Sequence, residues 1–353
     1  MIVPRKAPSS STEVIGALSS RSNELATLYN SAAKWSPDVV HVQFAVAAYG
    51  SRTLSLLRLL RMLRLLSTPL VVTMHEVTRE LGLLGFVGRM IYSRIATLAC
   101  DIIVHTAAAA TVLSENVLVS RPKVKVIPHP SARPPVAGST PEDVRARFNL
   151  GSARILLAFG FIHVDKGLND LIRALGILKN SAPTSISGVR LVVAGAVRPR
   201  SGVFRVFEAW DRIYLARVKH RIWRLSLGQN VVLTGFVPDR DIAAWFQAAE
   251  AAVLPYRHAE QSGVAGLAGA FGVPVLMSAV GGLVEQQANN QWTFPPRSPR
   301  RLAGVLADFL SESVHETGSP VQPASDLASI AEVTFNLYRT SGYTVGRSAS
   351  NDS

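Results

Sequence analysis

Cysteine occurs once in 353 residues, at Cys100, which excludes an internal disulfide and any metal site built on cysteine spacing. Such usage fits a reducing compartment, with Cys100 expected as core filler in the apolar run ATLACDIIV. Long apolar runs are also missing. No stretch reaches roughly 18 uninterrupted apolar residues, and the start MIVPRKAPSSSTEV holds no apolar signal region, so neither a membrane span nor a secretory leader is expected and the chain reads as cytoplasmic. Charged residues are few, 17% against 48% apolar, so a large core can form, and the length suggests two domains. Acidic residues are the scarcer sign. With 24 Asp+Glu against 37 Lys+Arg the formal net charge is +13, which favours an anionic partner such as a lipid surface or a phosphorylated substrate.

Two clusters carry the excess charge, most of it arginine. SRTLSLLRLLRMLRLL spaces Arg58, Arg61 and Arg64 along one helical stripe, and RIYLARVKHRIWRL surrounds aromatics with Arg212, Arg217, Lys219, Arg221 and Arg224. Each reads as a solvated helix face or as a contact with an anionic membrane surface. Nucleic acid is the least favoured partner and is not assigned.

From Pro37 onward, short β-branched runs alternate with longer amphipathic segments, the pattern of βαβ units around a parallel sheet. DVVHVQF, PLVVTMHE, CDIIVHT and VKVIPHP predict strands in the first part; RILLAFGFIH, VRLVVAGA, NVVLTGFV, AEAAVLP and VPVLMS predict strands in the second. Between them SARPPVAGSTPEDV, residues 131–144, is rich in Pro, Gly and Ser, and places an N-cap-like Thr140 before Pro141. The expected organisation is a first domain over 1–135, a second over 136–312, a terminal helix within 313–340 and a polar, disordered tail over 341–353.

Ligands of open parallel sheets bind at the carboxyl ends of the strands. His75 with Glu76, His105 with Thr106, His129, and His163 follow four of the predicted strands. One such histidine alone reads as a structural group, whereas four at equivalent places point to a shared crevice. No metal is expected, because each histidine comes from a different strand and has no second ligand close behind it.

Two loop-to-helix junctions in the second half suit an anion. In FGFIHVDKGLNDLIRAL a strand runs into Gly160, then Lys166 and Gly167, then an amphipathic helix. A lysine at a helix mouth meets phosphate as a point charge, or is simply solvated. In EQSGVAGLAGAFGVPV, the residues Gln261, Ser262 and Gly263 start a helix whose exposed N–H groups and positive dipole end attract an anion. Gly263, Gly266 and Gly269 each cost that helix about 0.5–1 kcal/mol relative to alanine. Either Gly263 admits a ligand while the stripe packs closely on a sheet, or packing alone explains all three. Asp239-Arg240-Asp241 superficially matches a manganese-binding Asp-x-Asp motif, but N-capping of the next helix is the ordinary reading.

Taken in order, AFGFIHVDKGLNDLIRAL, LVVAGA, NVVLTGFVPDRDIAAWF and HAEQSGVAGLAGAFGVPVLMSAVGGLVEQ resemble the C-terminal domain of GT-B glycosyltransferases of family GT4, in a bacterial subgroup with a QSG loop. The likeness covers roughly residues 150–310 well and the first half more weakly. It implies an α/β chain of two Rossmann-like domains, the N-terminal one incomplete. It further implies a UDP- or GDP-sugar donor, a lipid-linked or polysaccharide acceptor, retention of configuration, and no metal or other cofactor. Gly160, Lys166, Gly167, Gln261, Ser262 and Gly263 would hold the diphosphate, Glu285 would close the same side, and His75 would approach the donor sugar. Three departures stand out. Ala259 and Leu267 occupy the places of a frequent Glu-x7-Glu pair, and Phe161 stands where an arginine commonly partners the lysine. The family's first strand and glycine-rich turn are not found in residues 1–35, where EVIGALSSRSNELATLYNSAAKW reads as one helix.

The expectation is a glycosyltransferase, peripheral on the inner membrane face through the LLRLLRMLRLL helix. The rival is a non-catalytic GT-B remnant that binds a sugar nucleotide or a partner enzyme. An epimerase acting on a nucleotide sugar without an acceptor is disfavoured by the few carboxylates at strand ends.

Overall fold

A computed structural model describes residues 2–4, 16–18, 22–66, 68–129, 135, 138–200, 205–286, 291–312 and 327–349. The chain divides into two compact units, Met1–His129 with Leu327–Ser353, and Pro130–Asp326.

In the first unit β1 (Ile2–Pro4) and β2 (Gly16–Leu18) form a separate parallel pair. Helix α1 is Ser22–Trp35, shorter than the expected segment beginning at Glu13, because Gly16 and the serines that follow are poor helix formers. Then come β3 (Val40–Phe44), the one-turn α2 (Val46–Tyr49), α3 (Thr53–Leu63), β4 (Leu70–Met74), α4 (Val77–Leu98), β5 (Asp101–Val104), α5 (Ala107–Asn116) and β6 (Val124–Val126). The four strands β3-β4-β5-β6 lie side by side in chain order and all run parallel. Leu56, Leu59, Leu60 and Leu63 of α3 are buried with Phe44, Met74, Tyr92 and Ile102 in one core.

Leu56, Leu59, Leu60 and Leu63 are thus spent on the core, while Leu54 and the arginines Arg58, Arg61 and Arg64 stay in solvent. A larger exposed apolar surface belongs to α4, where Leu83, Phe86, Val87 and Met90 are 73%, 74%, 51% and 44% exposed. By length and composition α4 could cross a membrane. Its Gly85, at φ +50°, kinks it, and its other side is anchored in the core by Glu80, which accepts from Tyr92 Oη at 2.7 Å and Val46 N at 2.8 Å. Cys100 is half-buried beside Arg64, whose Nη1 donates to the sulfur at 3.2 Å, so it is not simple core filler.

The second unit contains α6 (Pro141–Arg147), β7 (Arg154–Phe159), α7 (Leu168–Ser181), the short α8 (Pro183–Ile186), β8 (Val189–Ala194), α9 (Arg205–Arg224), β9 (Val231–Leu233), α10 (Asp239–Ala248), β10 (Ala251–Leu254), α11 (Gly263–Ala270), β11 (Val275–Ser278), β12 (Thr293–Phe294) and α12 (Pro299–Ser311). Thr140 caps α6 in a capping box with Asp143, and Pro141 opens the helix. The parallel sheet has the order β12-β11-β10-β7-β8-β9, with apolar layers on both faces. All nine predicted strands form. Strands β1, β2 and β12 went unpredicted because two or three residues are too few to show an alternation.

Helix α13 (Leu327–Ala349) returns to the first unit. Leu337 packs there with Val71, Ile103 and Ile127, and Ser341 donates to Asp101 at 2.6 Å. The helix runs through residues 341–349 of the expected disordered tail, since no proline interrupts them and adding a turn to a formed helix costs little. Residues 313–326 and 350–353 lie outside the described residues.

Candidate functional site

Strand β7 lies between β8 and β10, so the chain leaves β7 toward one side of the sheet and later returns on the other. This is the topological switch point, and the loops after β7 and β10 flank it. Gly160 ends β7 at φ +105°, its N–H bonded to Ala194 O at 3.0 Å. A Cβ on Gly195 would overlap the Gly160 carbonyl, so these two loops touch through bare backbone. A turn at Val164–Lys166 then leads to Gly167, which enters α7 at φ +64°.

The two loops are tied together by groups the sequence reading passed over. Lys166 Nζ sits 3.7 Å from the Tyr256 ring centroid, a cation–π contact between the two loops. Arg257 N donates to Asp165 O at 2.7 Å, and the Arg257 guanidinium meets buried Asp170 through Nε at 2.8 Å and Nη2 at 3.0 Å. The hydrogen bond to Asp170 raises the Arg257 pKa above its already high value, against the opposing effect of burial. Asp170 and Arg257 lie 87 positions apart, so no local pattern marks them. A cavity of about 30 Å³ lined by Phe159, Phe161, Lys166, Pro255 and Tyr256 holds a water or two. A group the size of a diphosphate does not fit inside it.

Ser262 is the N-cap of α11, its hydroxyl accepting from Ala265 N at 3.3 Å. Among the described residues the N–H groups of Gly263 and Val264 have no protein acceptor, and the space where a Cβ on Gly263 would stand is open. Gln261 is half-buried beside them. The glycine stripe is not the packing face. Ala265 and Ala268 are buried against the sheet, while Gly263 is exposed and Gly266 and Gly269 are half-buried; residues three apart keep to one side of a helix, and here the alanines hold the inner side. Glu285 is exposed in the turn Gly281–Gln286 after β11. A Cβ on Gly281 would overlap the Ala259 carbonyl, which seats that turn against the loop after β10.

Phe161 carries a cation after all, since Arg198 from beyond β8 lies 5.6 Å from its ring centroid. Asp241 is neither a metal ligand nor a cap: Pro238 is the N-cap of α10, and buried Asp241 accepts from Ser139 Oγ at 2.5 Å and Arg147 Nη1 at 2.6 Å. The Ser139 hydroxyl and then Arg147 hold its carboxyl below the usual range, although burial opposes them. Asp241 thus fastens the segment before β7 to α10.

Of the four strand-end histidines, His163 belongs to the second unit and the other three to the first. His75, His105 and His129 converge, with one ring nitrogen from each lying within 4.8 Å of the others. This contradicts the reason given above for expecting no metal-ligating group. Adjacent parallel strands run about 4.8 Å apart, so residues in register across strands meet whatever their distance along the chain. The register Val71↔Asp101 and Thr73↔Ile103 puts His75 opposite His105. His41 and Gln43, not singled out from the sequence, extend the cluster. His41 Nδ1 bonds Tyr338 Oη at 2.5 Å and His41 Nε2 bonds Thr73 Oγ1 at 2.7 Å. Burial pushes the His41 pKa down to about 4.

Residues 141–319 match the family model of glycosyl transferases group 1. The glycogen synthase of Mycobacterium tuberculosis (strain H37Rv) is 28% identical over 282 residues, 77% of this chain and 59% of that protein. The D-inositol 3-phosphate glycosyltransferase of Streptomyces avermitilis is 29% identical over 260 residues, 69% of this chain and 53% of the relative. This chain therefore spans less than two thirds of the length of these relatives. Among solved structures, Anabaena HepE in complex with UDP and glucose aligns at a TM-score of 0.72 and 17% identity, covering 92% of this chain and 85% of that one. An α,α-trehalose-phosphate synthase (UDP-forming) from Burkholderia vietnamiensis aligns at 0.71 and 16%, covering 90% and 76%.

Proposed function

The chain belongs to the group 1 glycosyl transferases, and from that premise we propose that it moves a sugar from a nucleotide-diphosphate sugar to a lipid-linked or polysaccharide acceptor, with retention of configuration and with no metal holding the diphosphate. One observation carries the reading: Lys166, held against Tyr256, and the acceptor-free amides of Gly263 and Val264 stand on the two loops of a single switch point. Phosphate oxygens draw together a point charge on one loop and oriented N–H groups on the other.

During transfer the bond from the anomeric carbon to the diphosphate oxygen breaks, and the acceptor hydroxyl forms the new glycosidic bond while its proton passes to the departing diphosphate. Negative charge grows on that leaving group, where preorganised donors count most. Gly160 and Gly167 shape the lysine loop, Gln261 and Ser262 shape the amide loop, and Glu285 closes the same edge. His75 takes the donor-sugar role that the family resemblance assigns to it. UDP is favoured over GDP because HepE was solved with UDP and the trehalose-phosphate synthase is UDP-forming.

Calorimetric titration of UDP, GDP and their sugars tests the site. Lys166→Ala should weaken the preferred nucleotide roughly 10- to 100-fold, as expected for a hydrogen bond to a charged group worth about 1.5–3 kcal/mol. Equal affinities in both proteins would remove the lysine from the site and the reading with it.

For the acceptor, the exposed apolar residues of α4 stand beside exposed Arg89 and Arg94, a composition suited to the interface of an anionic bilayer. On this reading the protein is cytoplasmic and peripheral on the inner membrane face. In sedimentation with phosphatidylglycerol vesicles, Leu83→Glu and Phe86→Glu should each lower binding about tenfold or more, since burying such a side chain contributes about 1.5–3 kcal/mol. Unchanged binding of both variants would refute the membrane assignment.

A further inference from the structure

The first unit gathers imidazoles at the carboxyl end of its sheet, and of these the glycosyl-transfer reading uses His75 alone. Gln43, Thr73, His75, His105, Ile127 and His129 lie on one face of the sheet, since the register pairs Gln43 with Thr73, Thr73 with Ile103 and Ile103 with Lys125, and side chains alternate with a period of two. One tautomer is fixed by its partner. The Ile127 carbonyl oxygen can only accept, so His105 Nδ1, 2.9 Å away, is the donor. The Gln43 side-chain amide bridges two further rings, with its oxygen 2.6 Å from His75 Nε2 and its nitrogen 3.3 Å from His41 Nε2.

His105 is then left with Nε2 as its acceptor nitrogen, and this nitrogen faces His75 Nδ1 at 3.2 Å. A proton on His75 Nδ1 or a cation shared by the two rings satisfies that contact. Two nitrogens bound at about 2.0–2.1 Å to one tetrahedral zinc are about 3.3 Å apart, close to the observed separation. His129 is exposed at the third corner.

We propose that His75, His105 and His129 form a three-histidine site for a divalent transition metal of the zinc class, with its fourth position open to solvent or ligand. Imidazole ligands, with no carboxylate or thiolate in the group among the described residues, select zinc, cobalt, nickel or copper over magnesium or calcium. The Ile127 carbonyl and Gln43 play the orienting part that a metal-bound histidine asks of its other nitrogen. This inference shares His75 with the glycosyl-transfer reading, but metal binding needs neither donor nor acceptor, so the two fail separately.

The test uses the untagged full chain, stripped with a chelator and titrated with Zn²⁺ by calorimetry and with Co²⁺ by visible absorption. One metal per chain is expected, with the absorption of tetrahedral cobalt and a melting temperature that rises with zinc concentration. His129→Ala, on the surface and without risk to the core, should abolish the cobalt band and the thermal shift; His105→Ala should do the same. Gln43→Leu, which removes an orienting partner, should weaken zinc about 10- to 100-fold. Failure of the wild-type chain to bind one zinc, or binding of wild-type strength in His129→Ala, overturns the proposal.

Discussion

Gly167→Ala is expected to lower the stability of the second unit by about 3 kcal/mol, seen as a fall in melting temperature of roughly 6–12 °C for a domain of this size. Two independent terms add at this position. Its φ of +64° costs an alanine about 1–2 kcal/mol. The added Cβ would also overlap the carbonyl oxygen of Pro255, a backbone atom that cannot rotate away, and such overpacking typically costs about 1–3 kcal/mol. Because Pro255 begins the loop leading to Ser262, the relief of that clash pushes apart the two loops at the switch point, and nucleotide affinity should fall with stability. Gly151→Ala is the control. Its φ is +51°, but nothing lies within 4 Å of the new Cβ, so only the backbone term remains, about 1–2 kcal/mol. Equal losses in the two variants would show that the close approach to Pro255 contributes nothing.

Asp170→Ala should cost a comparable 3–5 kcal/mol, the usual loss when one partner of a buried ion pair is removed. Asp170 is 4% exposed and receives both Nε and Nη2 of Arg257, whose side chain is 23% exposed. Without the carboxylate that guanidinium keeps its charge in a largely dry place and loses two charge-assisted hydrogen bonds. Chemical denaturation of Asp170→Ala, Arg257→Met and the double variant measures the coupling. The double variant should be little worse than Asp170→Ala alone, because the uncompensated charge has gone. Strictly additive losses would mean that the two side chains do not act as a pair. Since the pair spans the loops after β7 and β10, both single variants should also weaken UDP binding.

Much of the scaffold could be read from residue order. Alternating β-branched and amphipathic runs gave the strands their places, Thr140-Pro141 marked a helix start, and Lys166-Gly167 and Gln261-Ser262-Gly263 marked two helix mouths. These are local signals, decided by residues a few positions apart. Misreadings arose where local and distant demands differ. The glycine stripe of α11 looked like a packing face until Ala265 and Ala268 were seen to hold it. Asp241 looked like a cap until Ser139 and Arg147 were found at its carboxylate.

By itself, then, the order of residues determined the α/β class, the strand positions and the polar groups available at strand ends, because backbone preference and hydrophobic period act over a few residues. Only the tertiary structure decided which strand ends are neighbours. That choice joins Arg257 to Asp170, Lys166 to Tyr256, and His75 to His105 and His129, since strands about 4.8 Å apart in a sheet bring together side chains that the chain separates by 30 to 90 residues and leave no trace of the meeting in any local motif.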